Sequence, residues 1–188
     1  EMAAMLLEIG PGDEVIVPAL SYVATANVVE LVGATPVFVD IELSTFNINP
    51  ALIERAITPK TKAIIPVHEF GLACDMEAIM KIANDHSLFV IEDAAQCISA
   101  YNKGEHLGSF GDIGCISFHE TKNIHCGEGG AILINNEELL DRAEIIREKG
   151  TDRAKFLRGE ISFYKKVDVG SSYLLSELNA AFLWAQLN

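Results

Sequence analysis

Six short, largely apolar runs do most to limit what this chain can fold into. They are Glu14–Val17, Thr35–Val39, Lys62–Val67, Leu88–Ile91, Gly114–Phe118 and Ala131–Ile134. None alternates apolar and polar residues as a strand with one wet face does. Strands of this kind need cover on both faces, which parallel sheets obtain from their crossover helices. The segments between the runs agree. Ser21–Val32 reads as a helix with Ser21 as its cap and Gly33 as its stop. Pro50 to about Ile57 reads as another, with proline in its first turn, and Asp75 caps a third that runs to about His86. Glu137–Lys149 carries acids at its start and cations at its end, as a helix dipole prefers, and Gly150 stops it. The expected fold class is α/β, a three-layer sandwich around a mainly parallel sheet. Thr151–Tyr173 is charged and irregular, so a loop or lid is expected there, followed by an apolar helix over Leu178–Leu187.

Composition narrows the function classes. With 188 residues and 49% hydrophobic content, the chain can bury a substantial core in one domain, or two. A net charge of −13 argues against nucleic acid and anionic membrane surfaces as partners. It leaves a phosphorylated ligand admissible, because a helix N-terminus can hold one phosphate. No run approaches the roughly 18 apolar residues of a membrane span. Cys74, Cys97, Cys115 and Cys126 form no C-x-x-C pair and read as reduced thiols of a cytoplasmic protein. His119, His125 and Cys126 lack the paired spacing of a metal site, so no metal is expected.

In parallel sheets, ligands bind beyond the carboxyl ends of the strands. Asp40, His68, Asp93 and Lys122 all follow apolar runs, and position alone does not choose among them. Lys122 is the one lysine of a turn crowded with small and polar residues, Ser117–Gly130. A lysine held in such a site can lose its proton and attack a carbonyl.

The motif carries more. Ser117-Phe-His-Glu-Thr-Lys122-Asn, followed by Gly127-Glu-Gly-Gly130, resembles the pyridoxal-phosphate (PLP) lysine loop of the DegT/DnrJ nucleotide-sugar aminotransferases. Phe-His-Glu-Thr-Lys-Asn is most similar to the branch that forms dTDP-4-amino-4,6-dideoxygalactose. The resemblance covers the whole chain and implies the large domain of a fold-type I PLP enzyme. It also implies roles for six residues. Lys122 bonds covalently to PLP and acts as the base. Asp93, in Glu92-Asp93-Ala-Ala-Gln96, partners the ring nitrogen, and Gln96 meets the ring's phenolic oxygen. Tyr22 stacks on the cofactor, and Ser117 contacts its phosphate. Ser172 stands where many members have asparagine, at a position that reaches the phosphate of the neighbouring subunit's cofactor.

Asp40, His68 and Glu128 are expected to be structural, with Glu128 bracing its turn, and no role attaches to Cys74, where the family usually has proline. Further implications are a homodimer with shared sites, a sugar-nucleotide substrate and glutamate as amino donor. A 3-keto-sugar aminotransferase is the alternative within the fold. Sugar dehydratases of the family replace the lysine. A non-catalytic regulator or nucleotide-sugar binder would not need Lys122, Asp93 and Tyr22 together, and a Rossmann dehydrogenase would need a G-x-G-x-x-G after a strand. Residues 1–188 are expected to be one PLP-binding domain cut from a longer chain. The helical pattern at Glu1 has no start signal and that at Asn188 no cap, so an N-terminal segment and a C-terminal domain are expected to lie beyond them.

Overall fold

The computed structural model describes residues 1–187. Its strands are β1 (Glu14–Pro18), β2 (Thr35–Val39), β3 (Thr61–Ile64), β4 (Phe89–Asp93), β5 (Tyr101–Asn102), β6 (Glu105–His106), β7 (Ile113–Ser117) and β8 (Gly130–Ile134). The helices are α1 (Met2–Leu6), α2 (Ala24–Leu31), α3 (Pro50–Ala56), α4 (Met76–His86), α5 (Leu140–Arg147), α6 (Arg153–Leu157) and α7 (Glu177–Leu187). Six strands form one sheet in the order β2-β1-β3-β4-β7-β8, while β5 and β6 make a separate hairpin. Neighbours pair in parallel from β2 through β7, and β8 alone runs antiparallel, against β7.

Successive residues of these strands go to opposite sides. Val15 and Val17 of β1 pack with Leu6 of α1, Val29 of α2 and Ile146 of α5. Ile16, between them, packs with Ile53 of α3 and Met76, Ile79 and Ala83 of α4. Ala63 and Ile91 join the first cluster, and Ile64 and Val90 the second. Each large apolar side chain buried this way contributes about 1.5–3 kcal/mol, so polar alternation in these runs would forfeit one of the two cores. The sheet is therefore the middle of three layers.

Asn49 caps α3 by accepting from the Ala51 amide at 3.0 Å, and Asp75 caps α4 by accepting from the Ala78 amide at 3.1 Å. Three expectations need correction. Ser21 is not a helix cap: α2 begins at Ala24 with no side-chain cap, and the Ser21 hydroxyl lies 2.9 Å from that of Thr25. The helix expected over Glu137–Lys149 divides into a 3-10 turn, Glu137–Leu139, whose first amides are met by Asn136, and the shorter α5. The segment expected to be irregular contains α6 and folds back on α5. Lys155 pairs with Asp141 at 3.1 Å, and Arg158 with Glu144 at 2.8 Å. Its charges, which look solvated in sequence, are matched by those on α5.

Gly114 is where β7 meets the turn at Gly108. A Cβ at Gly114 would lie 2.1 Å from the Gly108 carbonyl oxygen, a backbone atom with nowhere to go. Gly114→Ala is therefore expected to destabilise the protein by about 1–3 kcal/mol or more, seen as a lower urea midpoint. An unchanged midpoint would contradict this close approach.

Candidate active site

β4 and β7 end side by side at Asp93 and Ser117, and the chain leaving β3 follows the same edge, with Val67 bridged to Asp93. The edge opens into a cavity of about 400 Å³. Tyr22, Asp93, Gln96, Ser117 and Lys122 all line it, so five residues singled out in the sequence converge from three separate segments. Ser172 does not join them. It is exposed and bridges Glu148 beyond the end of α5.

Asp93 is held on both oxygens. Oδ2 accepts from the Thr25 hydroxyl at 3.0 Å, and Oδ1 from the Ala95 amide at 3.1 Å. Its amide donates to the Pro66 carbonyl, and its carbonyl accepts from the His68 amide. Ser21, which does not cap α2, instead extends this chain through Thr25.

Directly before Asp93, Glu92 points away from the cavity into the core and is fully buried. One carboxylate oxygen accepts from Phe110 and Gly111 at 2.6 and 2.7 Å, the other from Gly108 at 2.9 Å and from His68 Nε2 at 2.8 Å. The Cys74 amide, which can only donate, approaches His68 Nδ1 at 3.1 Å. That fixes the tautomer: Nδ1 accepts, and Nε2 carries the proton given to Glu92. His68 is thus the satisfied polar residue expected of it. Burial alone would push the Glu92 carboxyl up, but the His68 bond and the backbone donors outweigh it and hold the group below a glutamate's ordinary value of 4.5.

The Lys122 turn is pinned along its length. Phe118 and Gly129, and Glu120 and Gly127, are joined by backbone bonds of 2.8 and 2.7 Å, with Gly127 at φ +81°. The His119 amide donates to Ser117 Oγ at 3.2 Å, and the Lys122 amide donates to the His119 carbonyl at 2.9 Å. From outside, α7 clamps the turn: Leu183 packs on Phe118 and Cys126, Gln186 bonds His125 reciprocally, and Asn179 donates to the Glu128 carbonyl at 2.8 Å. Bracing at Glu128 therefore comes from its backbone. Its carboxylate is exposed, 3.6 Å from His119 Nε2, and faces the cavity. Lys122 itself is half-buried, and the Tyr22 ring is open to solvent.

The DegT/DnrJ/EryC1/StrS aminotransferase family matches residues 1–188. The chain belongs to that family. GDP-perosamine synthase of Caulobacter vibrioides is 44% identical over 186 residues, covering 99% of this chain and 48% of that protein. An aminotransferase structure from Psychrobacter cryohalolentis superposes with a TM-score of 0.91 at 37% identity, over 99% of this chain and 48% of that one. The PLP form of the sugar aminotransferase Spr1654 from Streptococcus pneumoniae, described as putative, gives 0.87 at 31% identity, over 99% and 51%. The chain spans about half the length of the relatives it matches. Members of this family are PLP-dependent, and the fold is that of fold-type I PLP enzymes. The donor set here fits PLP: an amine, a carboxylate fixed on both oxygens, a strand-end hydroxyl and an exposed aromatic face line one cavity. Among the described residues, no helix is long and apolar enough to cross a membrane.

Sequence reasoning missed Thr25 and Glu69, and weighed His119 only as a metal ligand. Thr25 lies four residues after Ser21 and Glu69 directly follows His68, but neither spacing carries a signal by itself.

Glu92→Gln places an amide among donors that need an acceptor. At pH 7 it is expected to cost about 1–3 kcal/mol for each donor left without an acceptor. A depressed folded value means that the wild-type advantage is full above 4.5 and is lost as pH falls through the lower folded value. Denaturant titrations of both proteins from pH 7 downward check this; a gap that does not narrow in acid would contradict it.

Proposed function

We propose that the protein transfers an amino group, from glutamate, to a 4-keto-6-deoxy sugar nucleotide, converting dTDP-4-keto-6-deoxyglucose to dTDP-4-amino-4,6-dideoxygalactose. The observation that carries this reading is that Lys122 and Asp93 line the same cavity beside Tyr22, Gln96 and Ser117. PLP, when bound, supplies an electron sink for bonds at the amino-bearing carbon. The chain supplies the rest. Lys122 offers the amine that attaches the cofactor and, once free, the base that moves a proton at Nζ. Asp93 keeps a carboxylate against the ring nitrogen, and the Thr25 hydroxyl and Ala95 amide hold it in orientation. The Tyr22 ring and the Gln96 amide bind the cofactor's face and its phenolic oxygen. Ser117 donates to the phosphate, and Ser172 does so for a partner subunit in a homodimer with shared sites.

A second reading changes the sugar nucleotide. A relative 44% identical is named GDP-perosamine synthase, which supports a GDP-linked sugar. Offering the dTDP- and GDP-linked 4-keto sugars to one preparation, and identifying the aminated product, decides between them. A product aminated at C3 would favour the 3-keto alternative.

Lys122→Ala is expected to abolish transamination and leave the far-ultraviolet circular dichroism unchanged, because the side chain lies in a turn and not in either core. Turnover at the wild-type rate would end the proposal. Asp93→Asn is expected to retain cofactor while kcat falls on the order of 100-fold, because charge stabilisation is lost mainly in the transition state. An unchanged kcat accompanied by a lower melting temperature would reduce Asp93 to a structural residue.

A further inference from the structure

Glu128 carries a carboxylate that neither the fold nor the roles above use. Its backbone does the bracing: the Glu128 carbonyl accepts from Asn179 at 2.8 Å and from the Cys126 thiol at 3.5 Å. The glycines on either side hold it in place. Gly127 has φ +81°, and a Cβ at Gly129 would lie 2.5 Å from Cys126 Sγ and 3.0 Å from Leu175 Cδ1. The residue between them stands on the wall of the cavity that Lys122 and Asp93 also line. Beside it is His119, whose ring is oriented by its own turn. The Thr121 amide, which can only donate, approaches Nδ1 at 3.2 Å, so Nδ1 accepts and Nε2 carries the proton. The Thr121 hydroxyl lies 2.9 Å from the same Nδ1. His119 Nε2 is 3.6 Å from the Glu128 carboxylate, too far for a hydrogen bond between them. Among the described residues the carboxylate takes no other partner. A donor and an acceptor thus stand side by side on the cavity wall, and neither satisfies the other.

We propose that Glu128 and His119 together bind a ring hydroxyl of the keto sugar, which makes Glu128 a specificity-determining residue for the sugar half of the reaction. The argument is one of charge. The ligands of this cavity are anionic at several points: the cofactor's phosphate, the carboxylates of glutamate and the diphosphate of a sugar nucleotide. A further carboxylate on the wall repels each of those groups. It attracts only a group that donates. The amino donor's nitrogen is committed to the reacting centre at Lys122, and its two carboxylates gain nothing from Glu128. The donors that remain are the hydroxyls of the sugar. A hydroxyl both donates and accepts. One hydroxyl can therefore donate to the carboxylate while accepting from His119 Nε2–H, which fills the gap of 3.6 Å that the two side chains leave. A hydrogen bond to a carboxylate is of the stronger, charge-assisted kind. Asp93 does not compete for this part, because both its oxygens are held. No covalent bond is made or broken in the role. It rests on the reading of the protein as a sugar-nucleotide aminotransferase, and it names the part of the substrate that the cavity wall selects.

Transfer in two halves makes the test clean, because kcat/KM for each substrate then reports its own half alone. The PLP-loaded protein is assayed with glutamate and with whichever of the dTDP- and GDP-linked 4-keto-6-deoxy sugars wild type aminates. Glu128→Gln should lower kcat/KM for the sugar nucleotide roughly tenfold or more, the effect of losing a hydrogen bond to a charged group. The loss should appear as a higher KM, while kcat/KM for glutamate does not fall. Glu128→Asp keeps the charge and should recover part of the loss. Analogues of the same sugar nucleotide lacking the 2- or the 3-hydroxyl give a second readout. Wild type should discriminate against one of them, and Glu128→Gln should lose that discrimination, because the hydroxyl then has no charged acceptor to miss. His119→Phe should weaken the same discrimination, and its effect should not add to that of Glu128→Gln, since both act on one hydroxyl. An unchanged kcat/KM for the sugar nucleotide in Glu128→Gln overturns the proposal. Equal losses for both substrates overturn it too, and so does discrimination among the deoxy analogues that Glu128→Gln leaves intact. Failure of the parent reading looks different: wild type would then aminate no keto sugar nucleotide, and this proposal would fall with it.

Discussion

The buried carboxylate of Glu92 is the point from which the rest of this site is held. It lies in the core with no solvent to stabilise its charge, and it is tolerable only because His68 and three backbone amides donate to it. Those donors belong to different loops. The amides of Gly108, Phe110 and Gly111 fix the approach to β7, and therefore the strand that ends at Ser117. His68, tied in turn to the Cys74 amide, fixes the loop after β3 that carries Glu69. On the opposite side of the same strand residue pair, Asp93 faces the cavity. A charge buried on one face of β4 thus registers two walls around a charge used on the other.

This arrangement also answers how so acidic a chain can offer a site for an anionic cofactor. The formal charge of −13 is the excess of 27 acidic over 14 basic side chains, and pairs such as Glu144 with Arg158 and Asp141 with Lys155 cancel within themselves. Inside the cavity the balance is local. Lys122 shares the cavity wall with the carboxylates of Asp93, Glu69 and Glu128, and Ser117, Tyr22 and Gln96 add neutral donors and an aromatic face. Exposed pairs are screened by salt and contribute little. A few charges in a partly desolvated cavity interact far more strongly, so the site's chemistry follows from its own neighbours and not from the net charge.

Much of this was legible in the sequence, for identifiable reasons. Unbroken apolar runs such as Val15–Val17 could be stable only between two helical layers, and the cores around Ile16 on one side and Val15 and Val17 on the other bear that out. The Lys122 motif and Glu92-Asp93-Ala-Ala-Gln96 carried the site because each is a contiguous stretch at a strand end. What stayed hidden depends on contacts between distant segments. Ser21 has the chemistry of a helix cap, and only the fold shows its hydroxyl leading through Thr25 to Asp93, 68 residues beyond Thr25. The charges of α6 look solvated until α5 is placed beside them. Glu69 gave no signal, because a glutamate beside a strand end is ordinary until its burial is known.

The account's central claim is that one lysine, Lys122, is set apart from all others by the cavity it faces. The most direct measurement is to mix the protein with limiting pyridoxal phosphate, reduce with borohydride and map the modified peptides by mass spectrometry. Selectivity among lysines reports the site even where affinity is weak. The account predicts modification concentrated on Lys122 and lost from that peptide in Asp93→Asn less than in a cavity-blocking change such as Ala95→Trp. Modification spread over exposed lysines such as Lys81 and Lys103, with Lys122 no more reactive than they are, would contradict it.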